Sequence, residues 1–205
     1  MNESLDFTIP GNIPFRSGTV YRRMIEIIDL PGDIIELGVW AGPTTLAMAR
    51  YLKDYDIDKK IYACDTFEGL PHDGHKWEPD LAKGDSAVSQ DVFWENITKA
   101  KLEDYVITVK GKVEDTLADV IKGKRFCFAV LDMDLYAPTS FAVRLLQDKV
   151  VVGGAMGFHD YGYRECPGIK IVVDKEIDQE RYERYSNIES NYAWVKRIAK
   201  PIKLA

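Results

Sequence analysis

The sequence predicts an α/β fold in which a doubly wound, mostly parallel sheet is covered by helices on both faces. From residue 19 to residue 180, segments with apolar residues at helical spacing alternate with short apolar runs. Runs such as FCFAVL and VVVGGAMGF do not alternate with polar residues, which is typical of parallel strands buried on both faces. The 205 residues suffice for one such core and are too few for two, so residues 1–205 are predicted to form a single domain.

The predicted elements follow one another along the chain in a regular order. Residues 1–18 contain two prolines and two glycines, which predict an irregular N-terminal arm. The polar stretch of residues 66–91 is too long for an ordinary connection and is predicted to be a lid loop carrying His72, His75 and Trp77. The alternative is a surface insertion without such a role. Helices are predicted over residues 19–28, 44–55, 92–102, 114–122, 139–150 and 168–180, and strands over residues 33–39, 61–65, 105–111, 125–134, 150–162 and 191–202.

Composition excludes several classes of partner. The formal net charge of −6 is the opposite of the basic footprint that nucleic-acid binding requires. No apolar run reaches the roughly 18 residues that span a bilayer, and the N-terminus lacks the pattern of a secretion signal, so a cytoplasmic location is expected. The spacing of Cys64, Cys127 and Cys166 fits neither a zinc site nor a disulfide framework, and reduced, structural thiols are expected.

The first predicted strand ends in ELGVWAG, which leads into a glycine-bounded turn. In open parallel sheets the ligand crevice lies beyond the carboxyl ends of the strands, where the winding reverses. Gly38 permits a tight turn or the close approach of a ligand, and Gly42 and Thr44 open the next helix. The first turn of that helix offers free N–H groups and the positive end of the helix dipole. The turn is therefore predicted to hold a cofactor.

The acids near this turn indicate which cofactor it holds. The spacing G-x-x-x-G differs from the dinucleotide fingerprint, and no lysine follows the turn as in a phosphate-binding loop. Glu36 would repel a pyrophosphate but would attract the ammonium group of S-adenosylmethionine. Asp65 ends the second strand, where an acid usually accepts hydrogen bonds from ribose hydroxyls. The alternative is that Glu36 and Asp65 are ordinary strand-end acids or helix caps.

Acidic residues also end the fourth and fifth predicted strands. Asp132 ends one and His159 with Asp160 ends the other, and consecutive strands of this kind are usually neighbours. We therefore expect these side chains to converge. Carboxylates with an imidazole suit Mg²⁺ or Mn²⁺, an ion that acidifies a bound hydroxyl, although His159 could equally support the site without ligating the ion.

Asp134 lies two residues beyond Asp132 and is predicted to act as a general base. If strand geometry persists to Asp134, both carboxylates point to the same face of the sheet. A carboxylate can remove the proton of an alcohol that a metal ion has already acidified. The alternative is that Asp134 caps the helix predicted to begin near Pro138 or Thr139.

Five segments, in this order and spacing, resemble the macrocin O-methyltransferase family. They are DIIELGVWAG, CDTFEGLP, KGKVEDTL, VLDMDLYAPT and GFHDYG, and they lie between residues 30 and 180. The family consists of metal-dependent class I enzymes that methylate sugar hydroxyls of macrolide and aminocoumarin antibiotics. The resemblance implies a Rossmann-like methyltransferase fold, S-adenosylmethionine as methyl donor, and a small hydroxylated acceptor that contains a sugar.

The resemblance also implies roles for individual residues. It implies cofactor contacts from Glu36, Gly38, Gly42, Thr44, Asp65 and Asp132, metal ligation by Asp132, His159 and Asp160, and Asp134 as the base. The family carries paired aspartates after the fifth strand, whereas this chain has His159 before Asp160, a departure that bears on metal preference. Two alternatives to a methyltransferase remain: a cofactor-binding protein without transfer activity, and a nicotinamide oxidoreductase, which the turn spacing disfavours. The oligomeric state is left open.

Overall fold

The computed structural model describes residues 14–74, 76–184 and 191–199, and these residues contain one seven-stranded sheet. The strand order is β3-β2-β1-β4-β5-β7-β6. Strands β1 to β5 are parallel to one another, whereas β7 runs antiparallel to both β5 and β6. The predicted α/β fold with a doubly wound, mostly parallel sheet is therefore confirmed.

The strands are β1 Asp33–Leu37, β2 Ile61–Asp65, β3 Val106–Lys110, β4 Phe126–Leu131, β5 Val150–Phe158, β6 Tyr182–Arg184 and β7 Ala193–Arg197. The helices are α1 Pro14–Ile25, α2 Pro43–Asp54, α3 Gln90–Lys99, α4 Val113–Val120, α5 Tyr136–Leu146 and α6 Pro167–Lys175.

Several element boundaries differ from the predictions. Helix α1 begins at Pro14 and not after residue 18, because proline is tolerated in the first turn of a helix. The remainder of the predicted arm, residues 1–13, lies outside the described residues. Strand β6 was not predicted, because three residues with two exposed charged side chains carry no apolar signal. Strand β4 ends at Leu131, three residues before the predicted end, so Asp134 lies outside the strand.

Two apolar layers enclose the sheet. In β4, where every residue is buried, Ala129 and Leu131 belong to one layer, while Phe128 and Val130 belong to the other. Burial on both faces explains why this strand is continuously apolar. Within the part of the chain that is described, no helix has the length and apolar character needed to cross a membrane.

The strand order determines where a ligand crevice forms. The chain adds β2 and β3 on one side of β1, then crosses to add β4 and β5 on the other side. The winding therefore reverses between β1 and β4, and a crevice opens beyond the carboxyl ends of these two strands. The ELGVWAG turn and the segment from Asp132 to Asp134 both follow strands that end at this crevice.

Candidate active site

The tips of β1 and β4 are in direct backbone contact. The Asp132 N–H, just after β4, donates to the Leu37 carbonyl of β1 at 2.8 Å. On the other side of β1, the Gly38 N–H donates to the Cys64 carbonyl of β2 at 2.9 Å. Gly38 has a φ of +83°, and a Cβ at this position would lie 1.9 Å from the Asp132 carbonyl oxygen. Only glycine allows this backbone approach, so Gly38 brings the turn and the acidic segment together.

The turn after β1 is held in shape by Asp65. Its Oδ2 accepts hydrogen bonds from the N–H groups of Val39 at 2.8 Å and Trp40 at 3.0 Å, and its Oδ1 accepts one from the N–H of Phe67 at 2.8 Å. Trp40 has a φ of +50°, a conformation that non-glycine residues rarely adopt. Asp65 therefore shapes the turn, and Oδ1, which accepts one short hydrogen bond from Phe67 and only a long one of 3.5 Å from the Thr66 hydroxyl, is the oxygen that can receive a further donor.

Helix α2 begins directly after the turn. Its N-cap residue, Gly42, has a φ of +90° and donates its N–H to the Val39 carbonyl at 2.8 Å. Pro43 occupies the first helical position, and Thr44 follows it at the cavity wall. No side chain of the N-cap residue caps this helix start, which lies at the cavity wall.

Glu36 is buried beneath this turn, with only 2% of its surface exposed. Its Oε2 accepts a hydrogen bond from the Thr45 hydroxyl at 2.5 Å. Burial raises the pKa of Glu36 to about 8; the Thr45 hydrogen bond opposes this shift, and the negative charges of Asp132 and Asp65 add to it. A cationic group entering the cavity would favour the ionised form of this carboxyl group.

The acidic residues that follow β4 and β5 converge, as expected from neighbouring strands. One ligand atom from each of Asp132, His159 and Asp160 lies within 4.8 Å of the others. His159 Nδ1 is 2.8 Å from Asp132 Oδ1 and 3.0 Å from Asp160 Oδ2. Burial opposes the charged form of His159, but the two carboxylates outweigh it and raise its pKa to about 10.

Asp134 reaches this cluster by a different route from the predicted one. The expectation that strand geometry persists to Asp134 was wrong, because β4 ends at Leu131 and Asp134 has a φ of +61°. The turn nevertheless brings the Asp134 carboxylate within 4.8 Å of ligand atoms of Asp160 and Cys166. Burial, followed by the negative charge of Asp132 and the contact with Asp160, raises the pKa of Asp134 well above its ordinary value.

The alternative role of Asp134 as a helix cap is also wrong. Helix α5 begins at Tyr136, and its N-cap residue is Leu135, which makes no side-chain capping hydrogen bond. The Tyr136 N–H instead donates to Glu78 Oε1 at 3.1 Å. Glu78 belongs to the predicted lid and is fully buried, so a carboxylate distant in sequence caps this helix.

The predicted lid is folded back on itself between β2 and α3. The N–H of Leu70 donates to the Asp85 carbonyl at 2.9 Å, and the N–H of Gly84 donates to the Leu70 carbonyl at 3.0 Å. Helix α3 begins at Gln90, so the irregular segment ends at Ser89. Of the side chains proposed for the lid, His72 and Trp77 are partly exposed, and His75 lies outside the described residues. Whether the segment opens and closes stays a prediction.

A cavity of about 450 Å³ joins the turn to the acidic cluster. This volume lies within the usual range for small-molecule sites. The cavity is lined by the predicted site residues Glu36, Gly38, Thr44, Asp65, Asp132, Asp134, His159 and Asp160. Gly42, the N-cap residue of α2, is not part of the lining. Asp85 and Ser86 of the predicted lid line it as well.

Sequence reasoning missed further residues of the cavity wall, among them Trp40, Lys112, Glu114 and Tyr192. Lys112 and Glu114 follow β3, and the rule that ligands bind beyond the strand ends could have indicated them. Tyr192 lies 33 residues beyond His159 in sequence, yet the two rings pack together with their centres 4.7 Å apart. No sequence pattern signals that contact.

Comparison with known proteins places this site in a family. The family model described as "Macrocin-O-methyltransferase (TylF)" matches residues 19–195. This chain belongs to the macrocin O-methyltransferase family. The predicted resemblance is thereby confirmed, and the structure is a class I methyltransferase fold.

Two curated relatives of the family come from Streptomyces. The 8-demethyl-8-(2,3-dimethoxy-alpha-L-rhamnosyl)-tetracenomycin-C 4'-O-methyltransferase of Streptomyces olivaceus is 30% identical over 146 residues, 67% of this chain and 56% of that protein. The demethyldecarbamoylnovobiocin O-methyltransferase of Streptomyces niveus is 31% identical over 170 residues, 75% of this chain and 62% of that protein. The chain thus spans about three fifths of the length of these relatives.

Solved methyltransferase structures share the fold of this chain. The O-methyltransferase NovP is similar with a TM-score of 0.79 and 26% identity, over 90% of this chain and 80% of that chain. The calicheamicin methyltransferase CalS11 has the same fold, with a TM-score of 0.74 and 22% identity, over 88% of this chain and 76% of that chain.

Proposed function

We propose that the protein is an S-adenosylmethionine-dependent O-methyltransferase that acts on a hydroxyl group of a sugar or of a sugar-bearing small molecule. One observation carries the proposal: a single cavity joins the glycine turn after β1 to the carboxylates that follow β4 and β5. Membership of the macrocin O-methyltransferase family supports it, as do relatives named for methylation of a rhamnosyl tetracenomycin and of a novobiocin precursor. A role in antibiotic biosynthesis is part of the same proposal.

The methyl donor would occupy the end of the cavity formed by the turn. Glu36 is suited to its ammonium group, because a buried carboxyl group has the most to gain from a cationic partner. Asp65 is suited to a ribose hydroxyl, since its Oδ1 accepts only one short hydrogen bond, from Phe67. The N–H groups at the start of α2, near Gly42 and Thr44, would receive a carboxylate.

The residues present fit a divalent metal ion. Asp132, His159 and Asp160 offer two oxygens and one nitrogen within 4.8 Å of one another, a donor set for Mg²⁺ or Mn²⁺ with room for further oxygen ligands. When bound, such an ion lowers the pKa of an acceptor hydroxyl.

Asp134 would then remove the proton from that hydroxyl. Its raised pKa gives the carboxylate a higher affinity for a proton than an exposed aspartate has. The acceptor oxygen forms a bond to the methyl carbon as the bond between that carbon and the sulfonium sulfur breaks. The products are a methyl ether, S-adenosylhomocysteine and the proton held by Asp134. The cavity contributes by aligning the reacting atoms and by excluding water.

The proposal is tested by transfer of a labelled methyl group from S-adenosylmethionine to a panel of rhamnosides and other sugar-bearing small molecules, with Mg²⁺ or Mn²⁺ present. We expect Asp132→Asn and Asp134→Asn each to lower the rate by at least about 100-fold, while affinity for S-adenosylhomocysteine changes little. Asp73→Asn, at an exposed lid position, is the matched control and should retain the rate.

Three outcomes would contradict the proposal or part of it. Binding of S-adenosylhomocysteine without transfer to any acceptor would support a cofactor-binding protein instead. Failure to bind S-adenosylhomocysteine would remove the proposed methyl donor. An Asp134→Asn variant that transfers methyl groups at the unsubstituted rate would exclude Asp134 as the base.

A further inference from the structure

We propose that His159 is a metal ligand through Nδ1 and that it makes the site prefer later first-row divalent ions such as Co²⁺ over Mg²⁺. The inference rests on the metal ion of the proposed function and deepens it, since it concerns which ions the site selects. Its basis is the geometry of His159 and the chemistry of an imidazole nitrogen.

The buried imidazole is in close contact with two carboxylates, but neither contact has the geometry of a hydrogen bond. Its side chain is 2% exposed, and neither Nδ1 nor Nε2 has a hydrogen-bond partner among the described residues. Nδ1 is nevertheless 2.8 Å from Asp132 Oδ1 and 3.0 Å from Asp160 Oδ2, without hydrogen-bond geometry to either. Nδ1 therefore faces two carboxylates whose lone pairs point at the same small space, an arrangement that a divalent ion ligated by all three groups would satisfy.

The distances from Nδ1 to the two carboxylate oxygens suit adjacent positions around one ion. Adjacent ligands on an octahedral ion with bonds of about 2.1 Å lie about 3.0 Å apart. The two nitrogen-to-oxygen distances, 2.8 and 3.0 Å, are close to this value. An ion beside Nδ1 would therefore meet both carboxylates with little rearrangement of the side chains.

The fold holds the imidazole in this position. The His159 N–H donates to the Leu131 carbonyl at 3.0 Å, which places His159 beside the tip of β4. Its ring packs edge-on against Tyr192 with ring centres 4.7 Å apart, and Tyr192 stacks on Trp194 at 5.2 Å. Trp194 in turn occupies space that Gly157 leaves open, because a Cβ there would lie 2.2 Å from the indole ring. A ligand fixed by packing loses little entropy when an ion binds.

An imidazole ligand discriminates between ions. Mg²⁺ prefers oxygen ligands and gives up water reluctantly, whereas affinity for sites containing nitrogen rises from Mn²⁺ to Co²⁺. A site with one imidazole and two carboxylates should therefore bind the three ions in the order Mg²⁺, Mn²⁺, Co²⁺, weakest first.

The test is calorimetric titration of the metal-free full chain with MgCl₂, MnCl₂ and CoCl₂. We expect Co²⁺ to bind at least about tenfold more tightly than Mg²⁺. His159→Asp, which replaces the nitrogen by an oxygen donor, should reduce this ratio at least about tenfold. His72→Asp, a histidine change outside the cluster, should leave the ratio unchanged, and circular dichroism checks that each variant is folded.

A second measurement does not depend on a variant that folds. The chain contains three histidines, so the ring nitrogens of protein labelled with ¹⁵N at histidine give few resonances. Paramagnetic Co²⁺ should shift or broaden those of one histidine at one equivalent of ion, whereas Mg²⁺ should compete only at a large excess.

The outcomes separate this inference from the proposed function. Equal affinity for Mg²⁺ and Co²⁺, or a Co²⁺ complex that leaves all histidine resonances in place, would overturn the role of His159 while leaving a metal-dependent methyltransferase intact. If no ion binds and methyl transfer proceeds without one, the proposal of a metal ion at this site is wrong. If ions bind as predicted and no methyl transfer occurs, the inference stands and the proposed function does not.

Discussion

At the scale of single residues, Gly38 is the position at which a side chain is most clearly excluded. An alanine Cβ there would lie 1.9 Å from the Asp132 carbonyl oxygen, and the φ of +83° would strain any L side chain. We expect Gly38→Ala to lower the free energy of unfolding by about 2 to 4 kcal/mol, because the tips of β1 and β4 would be forced apart. Urea denaturation measures this change.

The matched control for that prediction is Gly18→Ala in α1. No heavy atom lies within 4 Å of the added Cβ at Gly18, so the same substitution should be neutral or slightly stabilising in a helix. Equal effects at Gly18 and Gly38 would mean that the close approach of β1 and β4 does not constrain the site.

Glu36 shows a conflict between stability and binding. Its pKa in the folded protein, about 8, exceeds its ordinary value of 4.5, so the folded state holds this proton more tightly than the unfolded state does. Stability is therefore lost as pH rises from 4.5 to 8, and the whole cost is present above pH 8. Glu36→Gln should be more stable than the unsubstituted protein at pH 8, with the difference disappearing at pH 4.

The same variant should bind S-adenosylmethionine at least about tenfold more weakly, since the neutral amide cannot pair with an ammonium group. Thermal melts at the two pH values and calorimetry with the methyl donor measure both effects. Weaker binding together with higher stability would not arise from a purely structural role of Glu36. A variant that is less stable at pH 8 and binds normally would contradict the assignment.

At the scale of elements, the folded loop between β2 and α3 is anchored through Glu78. Its carboxylate accepts the first free N–H of α5, at Tyr136, and a Cβ at Gly168 in the first turn of α6 would lie 1.8 Å from the Glu78 Oε1 atom. The carboxylate thus lies close to the starts of two helices, where the helix dipoles favour a negative charge. The loop is held at its centre, so any opening would concern the part on either side of Glu78.

We expect Glu78→Ala to destabilise the protein by about 1 to 3 kcal/mol and to expose the loop to trypsin at Lys76 and Lys83. Glu78→Gln keeps an oxygen that can accept the Tyr136 N–H and should cost less. Glu68→Ala is the control, because its ion pair with Lys110 is largely exposed and contributes little. A Glu78→Ala variant as stable and as resistant to trypsin as the control would exclude the anchor.

At the scale of the whole molecule, the cavity is lined both by the loop and by the proposed cofactor site. Asp85 and Ser86 of the loop line the same cavity as the glycine turn and the acidic cluster. S-adenosylhomocysteine at 100 times its dissociation constant should stabilise the folded state by about 2.7 kcal/mol, and it should also slow cleavage at Lys83. Stabilisation without protection of Lys83 would mean that the loop does not close over the cofactor.

The sequence by itself determined the alternation of elements and the place of the site. Continuous apolar runs are visible in one dimension, because burial on both faces of a parallel sheet demands them, and strand β2 was predicted with the observed bounds, Ile61–Asp65. Because ligands bind where the winding reverses, the same pattern predicted that Glu36, Asp65, Asp132 and Asp160 lie around one crevice. The family strings supported the same positions, since they lie at the strand ends.

Only the tertiary structure decided how the site is assembled. Asp134 enters the cluster through a left-handed turn and not by strand alternation, and Glu78, 58 residues before Tyr136, caps α5. The packing of Tyr192 against His159 likewise depends on the antiparallel strand β7, which begins at Ala193. These contacts join residues distant in the chain, and their energies depend on burial and on distances between atoms, which no local pattern of residues encodes.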